Sequence, residues 1–139
     1  MDTEEPAIEF YLDSRSGVAP YLQLVHQVKQ ALQLGFLKPG DQLPTMRVVV
    51  AKLAINPNTV FKAYRTLELE GLVASHPGQG TFVQRSLADF SLENHAPLRQ
   101  SLLSWLHDAY EAGLREESIQ ALFDQTLREF KKKHEEGIA

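Results

Sequence analysis

The stretch AINPNTVFKAYRTLELEGLV, residues 54–73, constrains this chain more than any other. Val60, Ala63, Tyr64, Leu67 and Gly71 recur at the helical period and define an apolar side, while Asn58, Lys62, Arg65 and Thr66 occupy the opposite one. Asn56 is placed to cap the free amides, and Pro57 at the first helical position loses no hydrogen bond there. Glu68 and Glu70 fall toward the far end, so negative charge is kept away from the helix start. Such a helix offers short side chains and oriented amides at a blunt amino end, where its dipole favours phosphate.

What flanks this helix narrows the architecture. From Pro20, the residues Leu24, Val28, Ala31, Leu32 and Gly35 repeat at helical spacing, which predicts a helix over about 20–35. LKPGDQLP is turn chemistry. TMRVVVAKLAI is ambiguous, because Val48–Val50 favour a strand locally. Thr45 is a good N-cap, however, and Val49, Val50 and Leu53 share a helical face, so a short helix over 46–54 is expected. LVASHPGQGTFVQR reads as two short strands around a turn of Pro77, Gly78 and Gly80. AIEFYLD, near the amino end, alternates loosely and reads as a short strand.

Beyond a connector at SLADFSLENHAP, two more amphipathic helices follow. Leu98, Leu102, Trp105, Leu106, Ala109, Tyr110 and Gly113 mark one; Ile119, Leu122, Phe123, Leu127 and Phe130 mark the other. The short AGLREES link predicts an antiparallel pair. The expected fold is thus mainly α with a small β wing: a winged helix-turn-helix domain over 8–85, a connector over 86–96 and a two-helix antiparallel dimerisation tail over 97–134.

Charge agrees with that division. The net charge is -4, which argues against nucleic-acid binding by bulk attraction. Yet residues 38–85 carry six cations (Lys38, Arg47, Lys52, Lys62, Arg65 and Arg85) against Asp41, Glu68 and Glu70, while both flanking segments are acidic. A winged helix-turn-helix would lay the helix beginning at Pro57 in a major groove, with its first residues at the base edges. Asn58 and Thr59 are then candidates for base or phosphate contact, and Lys62 and Arg65 for the backbone. Thr45, at the start of the preceding helix, and His76 and Gln79, beside the wing tip, are further candidates for DNA contact. Phe61 lies at the edge of the buried face, where packing and contact with a thymine methyl compete.

The residues PYLQLVHQVKQALQLGFLKPGDQLPTMRVVVAKLAINPNTVFKAYRTLELEGLVASHPGQGTFV, roughly 19–84, also resemble the DNA-binding domain of GntR-type bacterial transcription regulators. PGDQLPTMR, the NTV..AY..LE.EGL helix and the closing GQGTFV carry the likeness. NPNTV together with a tail of two helices is similar to the small YtrA-like branch. The resemblance implies a homodimeric repressor on an inverted-repeat operator of double-stranded DNA, with Arg47, Asn58 and Thr59 at contact positions and Gly78 at the wing tip. Two departures bear on base reading, since many members carry arginine where Pro57 stands and some where Phe61 stands. Val49–Val50 also replaces the usual Leu-Ala, a change of packing rather than of fold.

The tail supplies the expected dimer contacts: Leu102, Trp105, Leu106, Tyr110, Ile119, Phe123, Leu127 and Phe130. Each large apolar side chain buried contributes roughly 1.5–3 kcal/mol, and one hairpin cannot hide them all. Lys131–Lys133 read as cations at a helix carboxyl end. A small-molecule effector, if one is used, would bind at the dimer interface or compete with DNA, because so short a tail lacks room for a large effector domain.

Other classes find less support. GQG does not open a helix after a strand, as a phosphate loop requires. His107 and Glu111 lie one turn apart without a third ligand, so no metal or other cofactor is expected. No catalytic constellation stands out, and an enzyme is not expected. There are no cysteines, no membrane-spanning run and no visible signal peptide, which suits the cytoplasm. The rival reading is a winged-helix protein-interaction module whose basic face meets an acidic partner without sequence-specific DNA binding.

Overall fold

Three helices of the first half turn their apolar faces toward one another. In the computed structural model, which describes residues 8–88 and 95–138, helix α1 spans Pro20–Gln33, α2 Met46–Leu53 and α3 Pro57–Leu69. An antiparallel hairpin follows, β1 Val73–His76 and β2 Gly80–Val83, with Val73 opposite Val83 and His76 opposite Gly80. Helices α4, Ala96–Glu111, and α5, Glu116–Ile138, complete the order. The chain divides into two units, residues 1–94 and 95–139.

The core of the first unit is closed. Leu24, Val28 and Leu32 of α1, Val49 of α2 and Val60, Ala63 and Leu67 of α3 are buried together with Leu37, Leu43, Leu72, Val73 and Val83. The three successive valines form a helix after all. Thr45 Oγ1 accepts a hydrogen bond from the Val48 amide at 3.3 Å, and this cap with the inward face of Val49 outweighs the local strand preference. Ala54 closes α2 in the left-handed region (φ 53°), with its amide donating to Val50 O.

The expected amino-terminal strand does not form over the described residues 8–13. Its alternation is real, since Ile8 and Phe10 are buried and Leu12 packs on the core. What it lacks is a neighbouring strand. The Gln27 side chain receives the Tyr11 amide (3.1 Å) and donates to the Tyr11 carbonyl (2.8 Å), standing in for a partner. Gln23, buried in α1, does the same one turn earlier: it accepts from the Asp13 amide and donates to the Asp13 and Val18 carbonyls. Lys52 of α2 bonds Glu9, and this contact holds the Glu9 carboxyl below its usual range.

A third extended segment enlarges the wing. Gly40 N donates to Val83 O, Val83 N to Asp41 O and Leu43 N to Thr81 O, so residues 40–43 run antiparallel to β2. Gln42 then fixes the hairpin turn by donating to Gln79 O at 3.1 Å. Its amide lies where a Cβ on Gly80 would stand, 2.3 Å away, and Gly80 has φ 131°. The backbone conformation favours glycine there, and a side chain would also have to push the Gln42 amide aside.

The second unit is open. Among its described side chains only Ala109 is buried. The helices fold back far enough for the Trp105 and Phe123 rings to meet at 5.1 Å, and the Arg115 guanidinium lies 4.3 Å from the Tyr110 ring centre. The expectation that Lys131–Lys133 end a helix is corrected, because α5 runs on to Ile138. No breaker intervenes before Gly137, and Glu135 and Glu136 are good helix formers. The three lysines therefore sit within the helix, away from its carboxyl dipole.

Candidate nucleic-acid interface

The start of α3 is built as its sequence suggests. Asn56 Oδ1 accepts from the Asn58 amide at 2.8 Å, and Pro57 occupies the first turn without an amide to satisfy. Asn56, Pro57 and Asn58 are exposed, while Thr59 is half-buried and gives its amide to Asn56 O. Arg47 is exposed on the first turn of α2 and makes no hydrogen bond or ion pair with any described residue, so its guanidinium is available. Neither Asp41 nor Glu68 takes it: Asp41 accepts from the Lys38 amide, and Glu68 is engaged elsewhere.

The two downstream cations are less free than spacing suggested. Lys62 leans toward α1, where its ammonium lies 4.1 Å from the centre of the Tyr21 ring. Arg65 is held by Glu68 one turn on, at 3.1 Å. Glu68 also accepts from the Ser75 amide at 3.3 Å, so one carboxylate ties the helix cation to the first wing strand. Both cations remain exposed, and a contact this close to solvent costs little to exchange for a phosphate.

The wing tip presents His76, Pro77, Gly78 and Gln79, all exposed. His76 packs its ring 5.3 Å from Phe82, and Gly78, with φ 78°, has open space around it. Thr45 is exposed but has its hydroxyl committed to the α2 cap. Between α3 and the wing lies a cleft of about 190 Å³, lined by Met46, Phe61, Tyr64, Arg65, Glu68, Ser75 and Thr81. Tyr64 belongs to the core. Its hydroxyl donates to Pro44 O, and burial pushes its phenol up from the usual range. Phe61, by contrast, is 57% exposed, so packing does not hold it. Periodicity could not show this, since position 61 lies at the margin of the apolar arc. Sequence reasoning also missed Glu68 as the link to the wing, although its three-residue spacing from Arg65 permits the pair.

Of the candidate dimer contacts, Leu102, Tyr110, Leu127 and Phe130 are exposed, and Leu106, Ile119 and Phe123 are half-buried. Trp105 rests on Phe123, and Phe130 stacks on His134 at 5.7 Å.

Comparison with known proteins bears directly on this arrangement. The family of bacterial regulatory proteins, gntR family, matches residues 20–83, from the first residue of α1 to the last of β2. The HTH-type transcriptional repressor YtrA of Bacillus subtilis is 34% identical over 109 residues, covering 78% of this chain and 84% of that protein. The chain belongs to the GntR family. A second relative, the uncharacterised HTH-type transcriptional regulator YhcF of Bacillus subtilis, is 31% identical over 71% of this chain and 82% of its own length. Among solved structures, YtrA from Sulfolobus acidocaldarius, a GntR-family transcription factor, superposes with TM-score 0.50 at 30% identity, covering 70% of this chain and 96% of that one. A transcriptional antiterminator from Listeria monocytogenes gives TM-score 0.55 at 28% identity, with 86% and 90% covered. Family membership decides between the two readings of the basic face: this GntR protein is a DNA-binding transcription regulator. Among the described residues no helix is long and apolar enough to cross a membrane.

Proposed function

We propose that the protein represses transcription in the cytoplasm, binding an inverted-repeat operator as a homodimer. Residues 8–85 form the reading domain and residues 97–134 the dimerisation domain. The observation that carries this reading is the exposed, capped start of α3 in the same unit as the unpartnered guanidinium of Arg47 and a projecting wing. Asn58 and Thr59 meet the groove first, Arg47 takes a base edge or phosphate beside them, and His76, Gly78 and Gln79 approach the neighbouring minor groove. Lys62 and Arg65 exchange Tyr21 and Glu68 for the backbone.

The uncovered apolar surface of α4 and α5 supports pairing of two copies, because contiguous patches of that kind rarely stay in water. Twofold pairing would set two α3 helices about one DNA turn, ~34 Å, apart. Repression is supported by the likeness to YtrA of Bacillus subtilis, whose name describes a repressor. No catalytic step and no cofactor enter this reading, and any effector acts at the paired helices or by competing with DNA.

Arg47→Ala tests it. In a gel-shift titration on the native promoter, the variant should bind ~1–3 kcal/mol more weakly, while sedimentation shows the dimer intact. Unchanged affinity overturns the role of Arg47. Wild-type binding without sequence preference overturns the operator reading itself.

A further inference from the structure

One side chain on the reading face is chemically unlike its neighbours. Asn58, Phe61 and Arg65 follow one another at spacings of three and four on α3, so they form a single stripe on its surface. The stripe is polar at both ends and apolar in the middle. Phe61 is exposed there, at the mouth of the cleft between α3 and the wing, with Met46 from the first turn of α2 also lining it. The half-buried Met46 and the buried Tyr64 give the ring an apolar backing. On the free protein its outer face is hydrated at a cost, and no described residue of its own unit covers that face.

We propose that Phe61 is a specificity-determining residue that reads thymine. The inference rests on the DNA-binding reading above and adds a base preference to it. On a major-groove floor the bases present hydrogen-bond donors and acceptors, and the one large apolar group among them is the 5-methyl of thymine, against only a small C5–H on cytosine. An apolar ring entering that groove therefore finds its most favourable partner in that methyl group. Opposite any other base it strips water from a donor or acceptor and offers nothing in return. Asn58 on one side can satisfy a polar edge and Arg65 on the other a phosphate, so the apolar position is the one left for a methyl group. The occupant is a base pair carrying thymine in each half-site, met by the same ring from each copy.

Deoxyuridine provides the test, because it keeps Watson–Crick pairing and removes only the methyl group. On an operator obtained by selecting bound genomic fragments, each thymine of one half-site is replaced in turn. Wild-type protein should lose about 4-fold in affinity at one position, and about 15-fold when both half-sites are changed there, the effect of one buried carbon per contact. Phe61→Ala should bind more weakly overall and show no further loss on the same replacement. Its melting temperature should stay within a few degrees of wild type, since more than half of the ring is exposed. Phe61→Arg should exchange the thymine preference for guanine, whose O6 and N7 accept a bidentate pair.

A wild-type protein indifferent to every such replacement overturns the inference, and leaves a protein or small-molecule occupant for the cleft. So does a Phe61→Ala variant that keeps the full penalty. Either can occur while selective binding persists, and then the operator reading stands. Loss of all selectivity in the wild type overturns both.

Discussion

The two units of this chain spend similar apolar residues in opposite ways. In the first, leucines and valines of α1, α2, α3 and the hairpin close on one another, and the large apolar side chains left outside, such as Phe36, Phe61 and Leu69, surround a filled core. In the second, Leu98, Leu102, Leu103, Tyr110, Leu122, Leu127 and Phe130 stay exposed along two helices that bury only Ala109 among the described residues. A unit that closes on itself can be stable alone. One that leaves its apolar side open has stability that depends on concentration, through whatever covers it. The same substitution therefore carries different meanings in the two places.

The largest expected effect separates them directly. Leu67→Ala, at a fully buried position, should destabilise the first unit by ~2–5 kcal/mol whatever the protein concentration. Leu102→Ala, at an exposed position of α4, should change unfolding by under ~1 kcal/mol in dilute samples and more in concentrated ones. Equal losses at all concentrations would break the contrast. Next comes Phe130→Asp, at a side chain 63% exposed in a single copy. A charge there should raise the dimer dissociation constant ~30-fold or more, about 2 kcal/mol, in sedimentation equilibrium. An unaltered association constant would remove α5 from the interface.

Smaller changes sharpen the account of the closed unit. Tyr64→Phe deletes the hydrogen bond to Pro44 O and should cost ~0.5–1.5 kcal/mol at neutral pH. Burial raises this phenol's pKa, so the folded state holds its proton more tightly than the unfolded chain does. Stability should be complete below about pH 10 and fall above it. In the Phe variant that alkaline loss should shrink, as followed by denaturant melts. Last, Ala54→Gly should stabilise by up to ~1 kcal/mol in the same melts. The exposed Ala54 is a non-glycine residue with φ 53°, a conformation that glycine adopts freely.

Much of the closed unit was legible because its signals are local. Helical periodicity, the Thr45 and Asn56 caps, Pro57 and the Pro-Gly turns each act within a few residues of themselves, and those helices and strands form nearly where they were expected. The failures involve partners far along the chain. Residues 8–13 alternate like a strand but bond to glutamines of α1, and nothing in their own sequence announces that substitute. Lys62 is exposed as expected, but its resting contact with Tyr21, forty-one positions earlier, could not be read from spacing. The reach of α5 past Lys133 was missed because a helix without a stop signal shows no end in sequence. In the candidate site, residue types were readable while directions were not, since a direction is set by what stands beside a side chain.

The lock between Gln42 and Gly80 reaches beyond the turn it fills. Residue 42 belongs to the stretch that leads within four residues into α2, and residue 80 opens the second strand of the wing. Anything that swings the hairpin must therefore drag the approach to Arg47 along with it. On the proposed reading, two fingers meant for separate grooves are hinged on a common knuckle. A bulkier residue at position 80 would displace the Gln42 amide from the Gln79 carbonyl, and the wing would lose its tie to that approach before it lost its fold.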